Sequence, residues 1–379
     1  MSAGRPPLVP RGRVEDLDTL RGVGAVIIVW THIRHDEVFW SWMLMEMFFV
    51  MSAALLTTVI WGRLGSLAGV LGFYRRRAER IWPPYFLALA GIVVLSLLLS
   101  RIGLWSTDHL ALLWRYLSFS QYSELMFTDQ PAYPYWYFAV HLWSLAVEEQ
   151  FYLLLPAGLI VVSRLSPRQR LLFGLALLLL ATLLRNRGTD YYALTAHLDA
   201  FVYGVAIAVA LATLPGLQRD RLRQIAAWAM RLGGVLVAVY IGGGYLEYLQ
   251  GADPFVYRPW AGSGAALFWA GAVAWLTLHA GDPSLFWLRS RLTGYLGRIS
   301  YSLYLTHYPL IAVLPRLADW AERRWSLAPI PVPLVYAVAV LLSLVSAHLL
   351  YVLVDRRLQA LGARRASPPA LPSAAGGGG

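Results

Sequence analysis

An arginine and a histidine stand eleven residues apart in the run LDTLRGVGAVIIVWTH, as Arg21 and His32. Eleven residues make about three helical turns and a rise of ~16 Å, so the two share one face near opposite ends of a span. An imidazole so placed can act as a general base. The plainer alternative is a pair of interfacial residues snorkelling from the helix ends. Glu46 lies about two turns into the next apolar segment, at a depth that roughly matches His32 across a short hairpin. A carboxylate there is expected to fix the imidazole tautomer and stabilise the imidazolium. A structural ion pair between neighbouring helices accounts for it equally well.

The densest basic cluster is Arg75, Arg76, Arg77 and Arg80, just before Ile81-Trp82-Pro83-Pro84-Tyr85. Helical spacing converges Arg76, Arg77 and Arg80, and the guanidinium fork suits phosphates. Taken alone, the cluster reads first as a topology signal at an inner membrane edge. Glu148 and Glu149 lie in HLWSLAVEEQFYLLLP. Adjacent residues point in different directions on a helix, so they do not form a carboxylate pair. At least one must face the bundle. Asp199 and His307 are expected to make bundle-facing hydrogen bonds. The aromatic run PAYPYWYFAVHLW reads as a membrane-interface belt, with sugar stacking as the alternative.

These residues need elements that hold them inside a membrane. The chain has 379 residues, 58% hydrophobic and only 14% charged, against roughly 25% charged in soluble domains. Extensive disorder is excluded. All 32 basic residues are arginine, which removes catalytic lysines, and the absence of cysteine removes disulfides, thiolate nucleophiles and thiolate metal sites. The distribution of the +11 charge points to a membrane and away from nucleic acid. No P-loop, GxGxxG, HExxH or GxSxG pattern occurs in a useful context.

Ten apolar segments are long enough to span, or nearly so. They are 17–34, 39–62, 81–100, 139–163, 169–184, 192–214, 226–243, 260–279, 297–315 and 331–353. The fifth is short, and Arg231 with several glycines interrupts the seventh. Residues 101–138 read as a long loop with a half-helix at 109–119. With the N-terminus inside, 22 arginines fall on inner segments and 9 on outer ones, with Arg21 within a span. That bias places both termini in the cytoplasm. The first span reads as a retained anchor, since no small-residue cleavage site follows it. The expected architecture is all-α: a polytopic helical bundle of about ten transmembrane helices over 17–357. A cytoplasmic segment, 1–16, precedes it and a disordered tail, 358–379, follows.

Six motifs in order resemble the acyltransferase 3 family of integral membrane acyltransferases. They are the Arg21-x10-His32 arrangement, MEMFFVMSA with Glu46, RRAERIWPPY from Arg76 to Tyr85, HLWSLAVEEQFYLLLP with Trp143, Ser144, Glu148 and Tyr152, HLDAFVYG with Asp199 and Gly204, and ISYSLYLTHYPL with Tyr301, Tyr304 and His307. The resemblance runs from Leu17 to about Arg357. Thr19 and Ala53 stand where the family pattern has glycine, substitutions that bear on close helix packing.

The resemblance implies transfer of an acyl group, commonly acetyl, from cytoplasmic acyl-CoA to a hydroxyl of a carbohydrate or glycosylated acceptor. No bound cofactor or metal is expected. Arg21, Arg76, Arg77 and Arg80 would hold the donor, with His32 as general base oriented by Glu46. Trp143 and Glu148 would shape the acceptor side. A covalent acyl-enzyme on His32 or Ser52 stays open. Some relatives carry an extracytoplasmic SGNH-type domain; within these 379 residues no room for one is expected, so such a partner is expected to be separate. The expected location is the bacterial cytoplasmic membrane, with the lipid bilayer as partner and no nucleic acid. The competing reading is a non-catalytic transporter or flippase of a glycan or lipid-linked sugar, which would use the same buried polar groups as a passage.

Overall fold

A computed structural model describes residues 11–34, 38–121, 137–187, 191–214, 219–253 and 257–358. Among these residues the regular structure is helical. The chain runs α1 (Arg11–Thr31), α2 (Leu44–Ile60), α3 (Leu67–Arg101), α4 (Leu113–Leu117), α5 (Trp143–Arg164), α6 (Pro167–Asn186), α7 (Leu198–Thr213), α8 (Arg219–Leu249), α9 (Pro259–Leu278), α10 (Arg291–Trp325) and α11 (Val332–Leu350). Each expected span coincides with one of these helices. Among the described residues, seven helical stretches are long and apolar enough to cross a membrane by length and composition: 39–60, 67–101, 138–164, 167–186, 219–249, 259–278 and 332–358. Helix α7, at 16 residues, falls short of a full span.

The short fifth span is a 20-residue helix opened by a capping box, in which Ser166 and Gln169 exchange bonds with each other's backbone N–H and Pro167 starts the helix. Leu171, Leu172, Leu175, Leu179, Leu180 and Leu183 on α6 are exposed, as lipid-facing side chains would be. The seventh span is unbroken over 31 residues; Gly233 serves contact with α9, where a Cβ on it would stand 2.4 Å from the Phe268 nitrogen. The half-helix in the long loop is a 3₁₀ turn, Asp108–Leu112, followed by α4. The tail from Gly362 and most of the aromatic run before Tyr137 lie outside the described residues.

Helix α1 begins at Arg11, ahead of the expected span boundary. Asp16 is buried and takes a two-bond grip from Arg289, at 2.7 and 3.1 Å, which ties this end to the turn before α10. The Thr19 hydroxyl donates to the Leu288 carbonyl, so this departure from the family pattern adds a tether. Next to it, α1 and α10 cross closely. A Cβ on Gly297 would stand 2.0 Å from the Asp18 carbonyl oxygen, and one on Gly22 would be 2.7 Å from the Gly297 nitrogen. Small residues are what let membrane helices approach like this. Ala53 is fully buried at the α2–α7 crossing, where a Cβ on Gly204 would already be 2.6 Å from it.

The α1–α10 crossing gives a stability prediction. Gly297→Ala places a methyl against main chain that cannot rotate away, and overpacking of this kind costs about 1–3 kcal/mol. Purified Gly297→Ala protein should therefore unfold at lower temperature than the parent. Gly242→Ala, where nothing lies within 4 Å, should not. Equal melting temperatures for the two variants would refute the close crossing.

Candidate active site

Helix α1 presents Arg21 and His32 to different neighbours at its two ends. His32 lies just past the last residue of α1 and packs against α10, its ring centre 5.3 Å from His307 and 4.6 Å from Tyr308. His141, in the 3₁₀ turn before α5, joins them. It stacks on Tyr308 at 5.2 Å and lies 5.5 Å from His307 and 5.3 Å from Tyr304. Three histidines from three segments of the chain thus meet at one end of the bundle. His307 Nδ1 lies 2.9 Å from the Leu303 and Tyr304 carbonyl oxygens of its own helix, so this nitrogen carries the proton and donates.

Arg21 lies at the other end. It pairs with Asp18 at 3.6 Å and faces Glu148, Tyr152 and Arg80. Arg77, half-buried, faces Arg80, Glu148 and Glu149. Arg76 and Arg80 are exposed, one turn apart on α3. The arginines form a graded set, with Arg76 and Arg80 at the surface and Arg77 and Arg21 further in, where Glu148 lies between them. Pro83 and Pro84 follow inside α3 and leave carbonyls one turn back without their helical donors. Tyr301 on α10 donates to the Ile81 carbonyl at 2.9 Å and ties the two helices together there. Asp355, in the π-helical turn Tyr351–Asp355 that follows α11, accepts from Ser302 at 2.5 Å and faces Arg80.

A polar track joins the two ends. On α5, Ser144, Glu148 and Tyr152 fall at helical spacing on one face. Tyr152 donates to Glu148 at 2.7 Å, and Ser52 on α2 lies 2.6 Å from the Tyr152 hydroxyl. Ser144 and Tyr304 hydroxyls are 2.8 Å apart, and Tyr304 is a ring neighbour of His141. Arg21, Ser52, Glu148, Tyr304, Tyr308 and His32 all retain partial exposure between buried neighbours.

Glu46 is not on this track. It is fully buried and bonded to Arg185 through both oxygens, at 2.8 and 3.0 Å. Its Oε1 also lies 2.9 Å from His197 Nδ1. The expected orientation of His32 by Glu46 is therefore corrected: α1 packs along α10 while α2 packs against α7 and α9, so the hairpin neighbours turn their polar groups to different partners. Arg185 also binds Asp199, and Asp199 takes a further bond from Ser263 at 3.0 Å. Asp199 thus makes the bundle-facing bonds expected of it. Sequence reasoning gave no role to Arg185 or His197; Arg185 stood just past the expected span 169–184 and read as a loop charge, whereas α6 runs on to Asn186 and includes it.

Trp143 lines that second network, with ring centres 4.9 Å from Tyr191 and 5.3 Å from both Tyr192 and His197. Glu148 faces the arginines instead. The structure therefore separates these two residues, which the sequence had grouped on the acceptor side. Among the described residues no group of three or more His, Cys, Asp or Glu side chains is arranged to hold a metal ion.

The acyltransferase domain that defines the family matches residues 14–352. The chain belongs to the acyltransferase 3 family. Peptidoglycan O-acetyltransferase OatA of Listeria monocytogenes is 26% identical over 332 residues, covering 80% of this chain and 50% of that protein. O-acetyltransferase OatA of Staphylococcus aureus is 24% identical over 367 residues, 91% of this chain and 57% of that protein. The chain thus spans about half the length of these relatives. No solved structure matches it significantly.

Proposed function

We propose that the chain is a multi-pass enzyme of a bacterial cytoplasmic membrane that moves an acyl group, in the first instance acetyl, from acyl-CoA to a hydroxyl of a carbohydrate. The observation that carries this reading is the partly exposed polar track between the arginine set and the histidine cluster. Arginine clusters suit the phosphates of CoA, and an imidazole suits activation of a hydroxyl. The relatives' names as peptidoglycan and other O-acetyltransferases support a carbohydrate acceptor. The arginine bias supports a cytoplasmic arginine end and cytoplasmic termini.

In this reading Arg76 and Arg80 meet the donor phosphates at the surface. Arg77 and Arg21 guide the pantetheine arm inward past Glu148. His32 takes the proton of the acceptor hydroxyl while its oxygen attacks the thioester carbonyl. The carbon–sulfur bond breaks, and CoA leaves as the thiolate, which takes up a proton.

The deciding experiment uses purified protein in nanodiscs with radiolabelled acetyl-CoA and soluble peptidoglycan fragments, without any gradient. Label on the carbohydrate supports the reading. Its absence, with no thioester cleavage, returns the transporter. Arg→Lys at 76, 77 and 80 keeps the charge that sets topology but loses the bidentate fork. Each variant should insert normally and bind acetyl-CoA more weakly, by about threefold to tenfold, the range of one lost hydrogen bond of ordinary net strength. Unchanged acetyl-CoA affinity in all three would leave the cluster as a topology signal.

A further inference from the structure

A cavity of about 500 Å³ opens where the end of α2, the start of α3 and the end of α5 meet. Leu64, Val70 and Leu159 give it apolar walls. Its volume falls within the ~300–1,000 Å³ of small-molecule sites. The reaction steps proposed above make no use of it.

Three features of the lining suit a flat heterocycle joined to an anion. Trp61 supplies an aromatic face, and it is braced. The Arg170 guanidinium lies 5.5 Å from the ring centre and is itself held by the Val162 and Ser163 carbonyls, at 3.0 and 3.2 Å. Gly62 and Gly65 have no side chains, so they offer the cavity only backbone N–H and C=O groups, which can pair with the edge of a base. Nothing lies within 4 Å of where a Cβ on Gly65 would sit. Arg164 adds a guanidinium suited to a phosphate. The acyl chain of a lipid would need the apolar walls alone.

The register of α3 against α5 sets this cavity beside the arginine set. Trp82 donates to Glu149 and Tyr74 to the Leu153 carbonyl, so the two helices run antiparallel and α3 leads from Arg77 back to Val70, away from His32. Val70, Tyr74 and Arg77 share one helical face. Val70 and Arg76 are six residues apart, a rise of ~9 Å. The Arg76 side chain narrows that gap. It lies back along α3, its Nη1 3.1 Å from where a Cβ on Gly72 would be. His32, Glu148, the arginines and the cavity thus follow one another in that order.

Acyl-CoA presents its parts in the same order: thioester, pantetheine arm, diphosphate, and then a 3′-phosphorylated ribose with its adenine. We propose that the cavity seats the nucleotide end of acyl-CoA. The adenine lies against Trp61, its edge meets the backbone at Gly62 and Gly65, and Arg164 meets the ribose phosphate. This inference rests on the proposed function and names the part of the donor by which the enzyme tells CoA from a shorter thioester.

The test is equilibrium binding to the full chain in nanodiscs, with acetyl-CoA and with S-acetyl-4′-phosphopantetheine, which lacks the nucleotide. The parent should bind acetyl-CoA at least about tenfold more tightly. Gly65→Leu sends a side chain into open space at a position without the positive φ of Gly62. Gly65→Leu and Trp61→Leu should each weaken acetyl-CoA binding about tenfold, within the range of one lost base–aromatic stack. Neither should change the affinity for acetyl-phosphopantetheine. Trp61→Phe keeps an aromatic face and should lose less than about threefold.

Equal affinity of the parent for the two ligands overturns the seat. So does unchanged acetyl-CoA affinity in both Gly65→Leu and Trp61→Leu; a phospholipid that native mass spectrometry finds on the parent and not on Gly65→Leu would then make the occupant a lipid. Equal weakening of both ligands overturns it as well, because the substitutions would be acting on the arginines and not on the nucleotide. A parent protein that binds neither ligand is a different result, and it overturns acyl-CoA as the donor.

Discussion

Arg185→Leu should cost about 3–5 kcal/mol, the typical penalty for removing one partner of a buried ion network. The side chain is fully buried where α2, α6, α7 and α9 meet. Its guanidinium spans Glu46 and Asp199, and the Tyr257 hydroxyl lies 3.4 Å away. A Cβ on Gly262 would stand 2.2 Å from Arg185 Nη1, so the glycine is what lets the guanidinium in. Both ring nitrogens of His197 meet acceptors, the Glu46 carboxylate and the Tyr191 carbonyl at 2.7 Å. The guanidinium is thus forked across two carboxylates in a low-dielectric interior, where ionised groups must be paired.

Leucine at 185 leaves two carboxylates against one imidazole. The variant should express poorly and lose its cooperative melting transition. Arg185→Lys should fall between, because a point charge cannot fork across two carboxylates. The triple variant Arg185→Met, Glu46→Leu, Asp199→Leu removes the charges together and should recover much of the lost stability. Purified triple variant that folds and still transfers acetyl would establish a purely structural network. A folded triple variant without activity would contradict that assignment.

The helices were legible because apolar runs of spanning length leave few alternatives inside a membrane. Helical period put Arg21 and His32 on one face, whereas in the structure His32 lies past the last residue of α1 and the two meet different neighbours. Partner choice was not legible. Glu46 follows His32 closely in sequence, and a short hairpin makes neighbours the natural guess. Yet the tight glycine crossing commits α1 to α10, and Glu46 finds an arginine 139 residues away. His141 and His307 share that difficulty. Each stood within a quoted motif, but only tertiary packing shows that their rings meet beside His32. The adjacent glutamates were read correctly as facing different ways: Glu148 bonds Tyr152, whereas Glu149 accepts from Trp82 at 3.2 Å.

His32→Gln should fold, bind acetyl-CoA and transfer the acetyl group at least ~10²-fold more slowly, the lower range for loss of a general base. Glutamine keeps much of the size and one hydrogen bond but cannot take the proton. The contact surface of His32 on His307 and Tyr308 is aromatic, so the substitution should change stability little. The structure also changes what Glu46→Gln is expected to do. A carboxylate on His32 would have made it a milder copy of the His32 defect. Bonded to Arg185 and His197 instead, Glu46→Gln should lower the melting temperature and leave the turnover of the folded fraction near normal. The two variants therefore separate along different axes, kcat for His32 and thermal stability for Glu46. Turnover and melting measured on the same nanodisc preparations check both at once. Near-normal turnover of His32→Gln would remove it as the base. A Glu46→Gln protein with intact stability and a His32-like rate loss would show that the two residues work as a pair during the reaction, against the packing described above.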